Sequence, residues 1–67
     1  MASKAEFVGY YRQLIAIQRK LNIARAKHDN EAIRGLRYAK ALVCKHLPKW
    51  ACEEAIAMGD AEAQRRI

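Results

Sequence analysis

Cysteine and histidine side chains are the first candidates for chemistry in this 67-residue chain: Cys44, His46 and Cys52, with His28 further upstream. These residue types are ligands of structural zinc sites, but the spacing C-x-H-x₅-C matches none of the usual zinc motifs. On one helix, Cys44 and His46 would point about 200° apart. We therefore expect no metal site, and the cysteines are better explained as small apolar residues. A disulfide between Cys44 and Cys52, across Pro48, remains an alternative.

The chain has few groups that could act as a catalytic acid, base or nucleophile. Ser3 is the only serine, and there is no threonine. The acids Glu53 and Glu54 are adjacent, so on a helix they point about 100° apart and cannot converge as a catalytic pair. A chain of short helices also offers little volume for a substrate pocket. We expect the protein not to be an enzyme and to use no cofactor.

Positive charge dominates most of the chain. The net charge is +6, divided into +5 for residues 1–28, +3 for residues 29–50 and −2 for residues 51–67. A basic body favours an anionic partner, either a nucleic acid or an acidic protein surface. An ordinary solvated surface is the alternative, because small soluble domains commonly carry a net charge of this size.

Arginine and tyrosine together are typical of binding hot spots, because both offer a large contact area and directional donors. Helical spacing places Arg12 and Arg19 on one face of a first helix, and Arg34, Arg37 and Tyr38 on one face of a second helix. The candidate partner-binding residues are Arg12, Arg19, Arg34, Arg37, Tyr38 and Lys45. The same residues could bind phosphates, although the chain lacks the short polar recognition helix of a helix-turn-helix protein.

The first helix, predicted over residues 3–28, positions half of these candidates. Ser3 and Glu6 match a capping box, and apolar residues follow at alternating steps of three and four. The predicted core or dimer residues are Phe7, Val8, Tyr10, Tyr11, Leu14, Ile15, Ile17 and Leu21. A second apolar stripe beside the main seam (Val8, Tyr11, Ile15) needs cover from a third helix or a second copy. Since so short a chain is marginal alone, we predict a homodimer formed through this helix.

The remaining helices are delimited by local signals. Asp29, or alternatively Asn30, is a good N-cap for a second helix over residues 30–46, which forms an antiparallel hairpin with the first. Gly35, in the middle of this helix, predicts a close backbone approach. Pro48 ends the second helix and begins a third over residues 49–58, whose buried candidates are Trp50, Ala51, Ala55 and Met58.

Gly59 is expected to terminate the third helix, and Asp60 to begin a short C-terminal helical turn over residues 61–66. The predicted fold is therefore one all-α domain over residues 1–67. There is also an internal similarity between Ala26–Leu36 and Ala57–Ile67, at an offset of 31. It resembles the turn between paired helices in tetratricopeptide-like arrays, whose period is about 34. The shared requirements of any helix–turn–helix hairpin explain the similarity as well.

Three hypotheses for function follow. The first is a small basic protein-interaction module, a regulator or inhibitor that occludes a host protein surface such as that of a transcriptional regulator. Its size and style resemble those of small phage and mobile-element proteins that redirect host regulators. The second is a direct nucleic-acid-binding protein, and the third is a structural helical subunit completed by a partner. With no apolar run long enough for a membrane span or a signal peptide, we expect a cytoplasmic location and no membrane partner.

Overall fold

Three α-helices make up most of the protein. In the computed structural model, which describes residues 4–66, a short 3₁₀ helix (Lys4–Glu6) precedes α1 (Val8–Ala26), α2 (Asn30–Cys44) and α3 (Lys49–Arg66). α1 packs against both α2 and α3, and the described residues contain no strand. The predicted all-α class and helical hairpin are therefore confirmed. None of the described helices has the length and hydropathy needed to cross a membrane.

α1 begins at Val8, so the predicted start of the first helix at residue 3 is wrong. Phe7 is the N-cap residue, and its side chain makes no capping hydrogen bond. The Phe7 ring is instead buried, edge-on to Trp50 with the ring centroids 5.8 Å apart. Burial of this aromatic ring, rather than a polar cap, sets the position of the first helix. Of the predicted capping box, Glu6 lies in the 3₁₀ helix, and Ser3 lies outside the described residues.

The turn between α1 and α2 is a Schellman motif with a histidine at the left-handed position. His28 has a φ of 58°. The backbone N–H of Asp29 donates to the carbonyl of Ala24 at 3.0 Å, and that of His28 to Arg25 at 3.2 Å. The Asp29 carboxylate then accepts a hydrogen bond from the backbone N–H of Ala32 at 3.2 Å. The predicted N-cap role of Asp29 is confirmed, and it turns the chain back at once into a hairpin.

Pro48 separates α2 from α3, as predicted. α2 ends at Cys44, slightly earlier than the expected residue 46. The carbonyl of Pro48 accepts hydrogen bonds from the backbone N–H groups of Ala51 at 3.0 Å and Cys52 at 3.1 Å. Pro48 therefore provides the first acceptor of α3, while its own missing N–H costs this position nothing.

α3 runs without interruption from Lys49 to Arg66, so the predicted break at Gly59 and Asp60 is wrong. Gly59 is buried in the middle of the helix. A Cβ atom there would lie 2.6 Å from the Cβ of Gln18 and 2.8 Å from the backbone oxygen of Ile15. The glycine therefore allows α3 to pack closely on α1. It belongs to a row of buried small residues spaced by four along α3: Ala51, Ala55, Gly59 and Ala63.

The largest hydrophobic cluster lies where the beginning of α1 meets the α2–α3 connection. It contains the buried residues Phe7, Tyr11, Leu14, Val43, Leu47, Ala51 and Ala55. Two of the predicted buried residues of the third helix differ from expectation, because Trp50 and Met58 are each 44% exposed. The row of small residues on α3 packs against α1, and the larger side chains of Trp50 and Met58 lie at the edges of this row.

Gly35 was expected to mark a close backbone approach, and that prediction is wrong within this chain. It is exposed on α2, and a Cβ atom built there would meet nothing within 4 Å. No contact inside the described residues therefore explains a glycine at this position, although glycine in a helix interior costs about 1 kcal/mol relative to alanine.

The internal similarity is not a structural repeat. Residues 26–36 contain the turn between α1 and α2, whereas the matching residues 57–66 lie inside α3. The matching Asp29 and Asp60 also differ in role, because Asp29 caps a helix and Asp60 accepts hydrogen bonds from α1 side chains. The tetratricopeptide-like interpretation of these residues is therefore wrong.

Candidate functional site

The outer face of α2 presents an exposed surface that is both basic and apolar. Leu36, Ala39 and Val43 share the side of α2 that faces α1, and these residues are half-buried or buried. On the opposite side lie five exposed residues, which we call the α2 surface: Arg34, Gly35, Tyr38, Leu42 and Lys45. Most of the predicted partner-binding residues of the second helix therefore lie together.

Tyr38 is the more exposed of the two large hydrophobic side chains of this surface, with 69% of its area accessible against 42% for Leu42. Gly35 and Leu42 lie three residues before it and four after it, so the three share one helical face. Because Gly35 carries no side chain and a Cβ atom built there would meet nothing within 4 Å, the α2 backbone is open one turn before Tyr38; we call this opening the notch. Neither Arg34 nor Lys45 forms an ion pair with a described residue.

The predicted candidates on α1 form a separate group. The guanidinium of Arg19 lies 3.6 Å from the carboxylate of Glu62 on α3, so this arginine is half-buried beside the third helix. Arg12, two helical turns earlier, lies exposed on the same side of α1. The structure thus places Arg19 at the α1–α3 boundary and Arg12 on the same side of α1, and neither belongs to the α2 surface.

A second set of cations surrounds a cleft between α1 and α2. This cleft has a volume of about 330 Å³, and Leu21, Ala41 and Cys44 contribute to its wall. Three cationic residues, which we call the basic cleft, line it: Arg25, Arg37 and Lys40. No described carboxylate forms an ion pair with any of the three. Of these residues, only Arg37 was a candidate on sequence grounds.

On the other side of Arg25, a polar cleft of about 420 Å³ lies between α1 and α3. The Asp60 carboxylate accepts hydrogen bonds from the side-chain amides of Asn22 at 2.6 Å and Gln18 at 2.8 Å. These bonds, from Asn22 and then Gln18, lower the pKa of Asp60, and the charges of Lys40 and Arg25 add to the effect. Gln18 is only 4% exposed, and its Oε1 atom has no hydrogen-bond partner among the described residues.

The cysteines and histidines do not converge on a common point. His46 stacks on Tyr10, with the ring centroids 4.3 Å apart, whereas His28 lies in the α1–α2 turn. The thiol of Cys52 donates to the backbone oxygen of Cys44 at 3.6 Å, and both cysteines are free thiols. Burial, followed by a side-chain hydrogen bond with Cys44, raises the pKa of Cys52 to about 11. Within residues 4–66, no three His, Cys, Asp or Glu side chains are grouped for metal binding.

The predicted core and dimer residues divide into buried and exposed members. Phe7, Tyr11, Leu14 and Leu21 are buried, and Ile15 and Ile17 are half-buried. Val8 and Tyr10 are each 39% exposed. α3 covers much of the second apolar stripe, since Tyr11 donates a hydrogen bond from its hydroxyl to the Met58 sulfur at 2.9 Å. The predicted homodimer stays a prediction.

Fold and geometry together define a small basic protein of three α-helices. In comparisons with known proteins, no protein-family model, no curated protein sequence and no solved structure matches this chain.

Two features of these surfaces were missed from the sequence. Arg25 and Lys40 meet at the basic cleft only because of the rotation of α2 about α1, which no short-range pattern encodes. Gln18 and Asn22 are four residues apart, so they lie on one face of α1. Their partner Asp60 was missed because Gly59 was interpreted as a helix end, which would have turned Asp60 away.

Proposed function

We propose that this protein is a small interaction module that binds an acidic surface of a protein partner through the α2 surface. By covering that surface it would act as a regulator or inhibitor, with a transcriptional regulator among the suitable targets. The observation that carries the proposal is the exposed Tyr38, one turn after the notch at Gly35, together with Arg34 and Lys45, which form no ion pair with a described residue.

The composition of the α2 surface supports a protein partner. Tyrosine and arginine are enriched at interface hot spots, and the exposed Leu42 extends the apolar area beside Tyr38. A surface that only bound phosphates would gain little from an exposed leucine or from a notch, since phosphate contacts depend on charge. Unpaired cations around an apolar centre match an acidic partner by charge complementarity.

Gly35 supplies the most specific support. Its lack of a side chain has no explanation inside the described residues, yet it weakens α2. A partner side chain seated against the backbone at Gly35 would explain why a better helix former is absent. The notch and the tyrosine ring would then bind one segment of the partner together.

The proposal is tested with Gly35→Ala and Tyr38→Ala, using Gly9→Ala and Arg65→Ala as matched controls. Gly9 also has open space around it on α1, and Arg65 is an exposed cation on α3. Proteins captured by the tagged chain from nuclease-treated extract of its source cells are identified by quantitative mass spectrometry. The specific partner should be lost with both α2 variants and kept with both controls.

Salt dependence distinguishes this function from direct nucleic-acid binding. If the target is a nucleic acid, nuclease treatment removes it, and log affinity falls linearly with log salt with a slope near the number of phosphate contacts. A protein partner held by Tyr38 and the notch should survive nuclease and show a shallower dependence on salt. Equal loss of the partner with Gly9→Ala and Gly35→Ala would contradict the proposed use of the notch.

A further inference from the structure

The basic cleft brings together three cations that form no ion pair with any described carboxylate. Arg25 comes from α1, while Arg37 and Lys40 come from successive turns of α2. Cations three residues apart on a helix repel each other, and Arg25 adds a third charge from across the cleft. Such a concentration of like charge destabilises the free protein, and an anion placed between the three side chains would reverse the effect.

Asp60 does not perform this role. The positive charges of Lys40 and Arg25 act on Asp60, yet Asp60 lines the neighbouring polar cleft and not the basic cleft. Its Oδ1 atom is held by the side-chain amides of Gln18 and Asn22. Within the described residues, Asp60 forms no ion pair with the cations.

We infer that the basic cleft is a binding site for a phosphate monoester, held by Arg25, Arg37 and Lys40. A phosphate group carries close to two negative charges at neutral pH and offers three acceptor oxygens, one for each cationic side chain. Arginine forks bind such oxygens in pairs, and lysine adds a compact charge. This inference concerns the free protein and does not depend on the partner proposed for the α2 surface.

The apolar part of the wall points to an ester rather than to free phosphate alone. Leu21 is fully buried beneath the cleft, so the accessible apolar wall comes from the exposed Ala41 and the half-buried Cys44. The volume of about 330 Å³ exceeds what a phosphate group fills, so an apolar body attached to the phosphate has room against these residues. A small aromatic or aliphatic phosphate monoester therefore fits better than inorganic phosphate.

The inference is tested on the whole chain by titration with phenyl phosphate and with inorganic phosphate, at constant ionic strength set with sodium chloride. Binding is followed by amide chemical shifts in heteronuclear NMR and by calorimetry. We expect phenyl phosphate to bind more tightly than inorganic phosphate, with shifts concentrated at residues around the basic cleft. Arg37→Gln and Lys40→Gln should each weaken binding about tenfold, because each removes a charge-assisted contact.

Arg34→Gln is the matched control, since it removes one positive charge from the same helix outside the basic cleft. Arg34→Gln should leave the affinity for phenyl phosphate within about twofold, and Arg37→Lys should retain more affinity than Arg37→Gln because it keeps the charge. Far-UV circular dichroism verifies that every variant is folded. Equal weakening by Arg34→Gln and Lys40→Gln would overturn the inference, as would shifts spread over all basic faces. Tighter binding of inorganic phosphate would remove the ester as the ligand class.

Discussion

At the scale of single residues, two glycines that both lie inside α-helices have opposite effects on packing. Gly35 and Gly59 both lie inside α-helices, where glycine lowers stability. Gly59 is compensated by the close approach of α3 to Gln18 and Ile15, whereas Gly35 has no neighbour on its open side. A sequence pattern cannot distinguish the two cases, because the difference lies in which helix packs on which side.

Gly59→Ala should destabilise the protein by about 1–3 kcal/mol, the usual cost of overpacking. The added Cβ would meet the backbone oxygen of Ile15 at 2.8 Å, and backbone cannot rotate away as a side chain can. Urea unfolding followed by circular dichroism measures the effect. Gly9→Ala is the control and should be neutral or stabilising, since open space surrounds that position. An unchanged unfolding midpoint for Gly59→Ala would show that α3 is less tightly packed on α1 than described.

Asp60 should make stability depend on acid pH. Its carboxylate accepts hydrogen bonds from Asn22 and Gln18, which lower its pKa below the usual 3.8. A carboxyl with a lowered pKa in the folded state stabilises the protein above the unfolded pKa, and this contribution is lost as the pH falls through the folded pKa. The unfolding free energy should therefore decrease below about pH 4. Asp60→Asn should show a weaker decrease over the same range, and an identical pH profile would exclude this role.

At the scale of helices and turns, sequence succeeded where local hydrogen bonds decide the boundary. Asp29 and Pro48 mark helix starts through groups within a few residues of themselves, so the sequence predicts both. The start of α1 and the length of α3 depend instead on the contacts Phe7–Trp50 and Gly59–Gln18. Those contacts join residues far apart in the chain, and local signals such as a capping box or a helix-ending glycine cannot outweigh them.

The candidate sites divide in the same way. The exposed face with Arg34 and Tyr38 follows from helical periodicity within α2, and the sequence identified it. The basic cleft depends on how α2 is rotated about α1, which determines whether Lys40 faces Arg25 or solvent. Helical periodicity predicts which side of a helix is buried. It does not predict which residues of two packed helices meet at the edge of their contact.

His28→Gly should stabilise the α1–α2 turn. His28 has a φ of 58°, a conformation that costs a residue with a side chain about 1 kcal/mol and costs glycine little. The gain should be below that value, because glycine also loses more conformational entropy on folding. We expect a higher unfolding temperature for His28→Gly and a lower one for His28→Val, whose branched side chain tolerates a positive φ poorly. Differential scanning calorimetry of both variants tests the assignment, and the reverse order would refute it.

At the scale of the whole molecule, α3 changes the form of the predicted homodimer. The stripe that motivated the dimer is largely covered within one chain, so a dimer has to use exposed residues of α1 such as Val8 and Tyr10, or exchange α3 between copies. Val8 and Tyr10 are two positions apart and face different sides of α1, so one partner helix cannot cover both. Sedimentation velocity at micromolar concentration decides the question, because one chain has a mass of 7.7 kDa.

The net positive charge of the whole protein should make its stability depend on salt. The chain has thirteen basic and seven acidic residues, within a body measuring 39 × 24 × 16 Å. At about 0.01 M salt the screening length is roughly 30 Å, so most of these charges repel each other, whereas about 1 M salt shortens it to roughly 3 Å. The unfolding temperature should therefore rise with sodium chloride.

Lys40→Gln identifies where that repulsion is concentrated. At low salt it should raise the unfolding temperature by about 2–4 °C, as expected for roughly 0.5 kcal/mol in a domain of this size. Arg65→Gln is the control with the same change in net charge, and it should gain less because Arg65 belongs to the acidic C-terminal part of the chain. Both gains should shrink in high salt. A binding residue is expected to lower the stability of the free protein and to raise its affinity for phosphate. If Lys40→Gln is instead less stable than the original protein, Lys40 has a structural role.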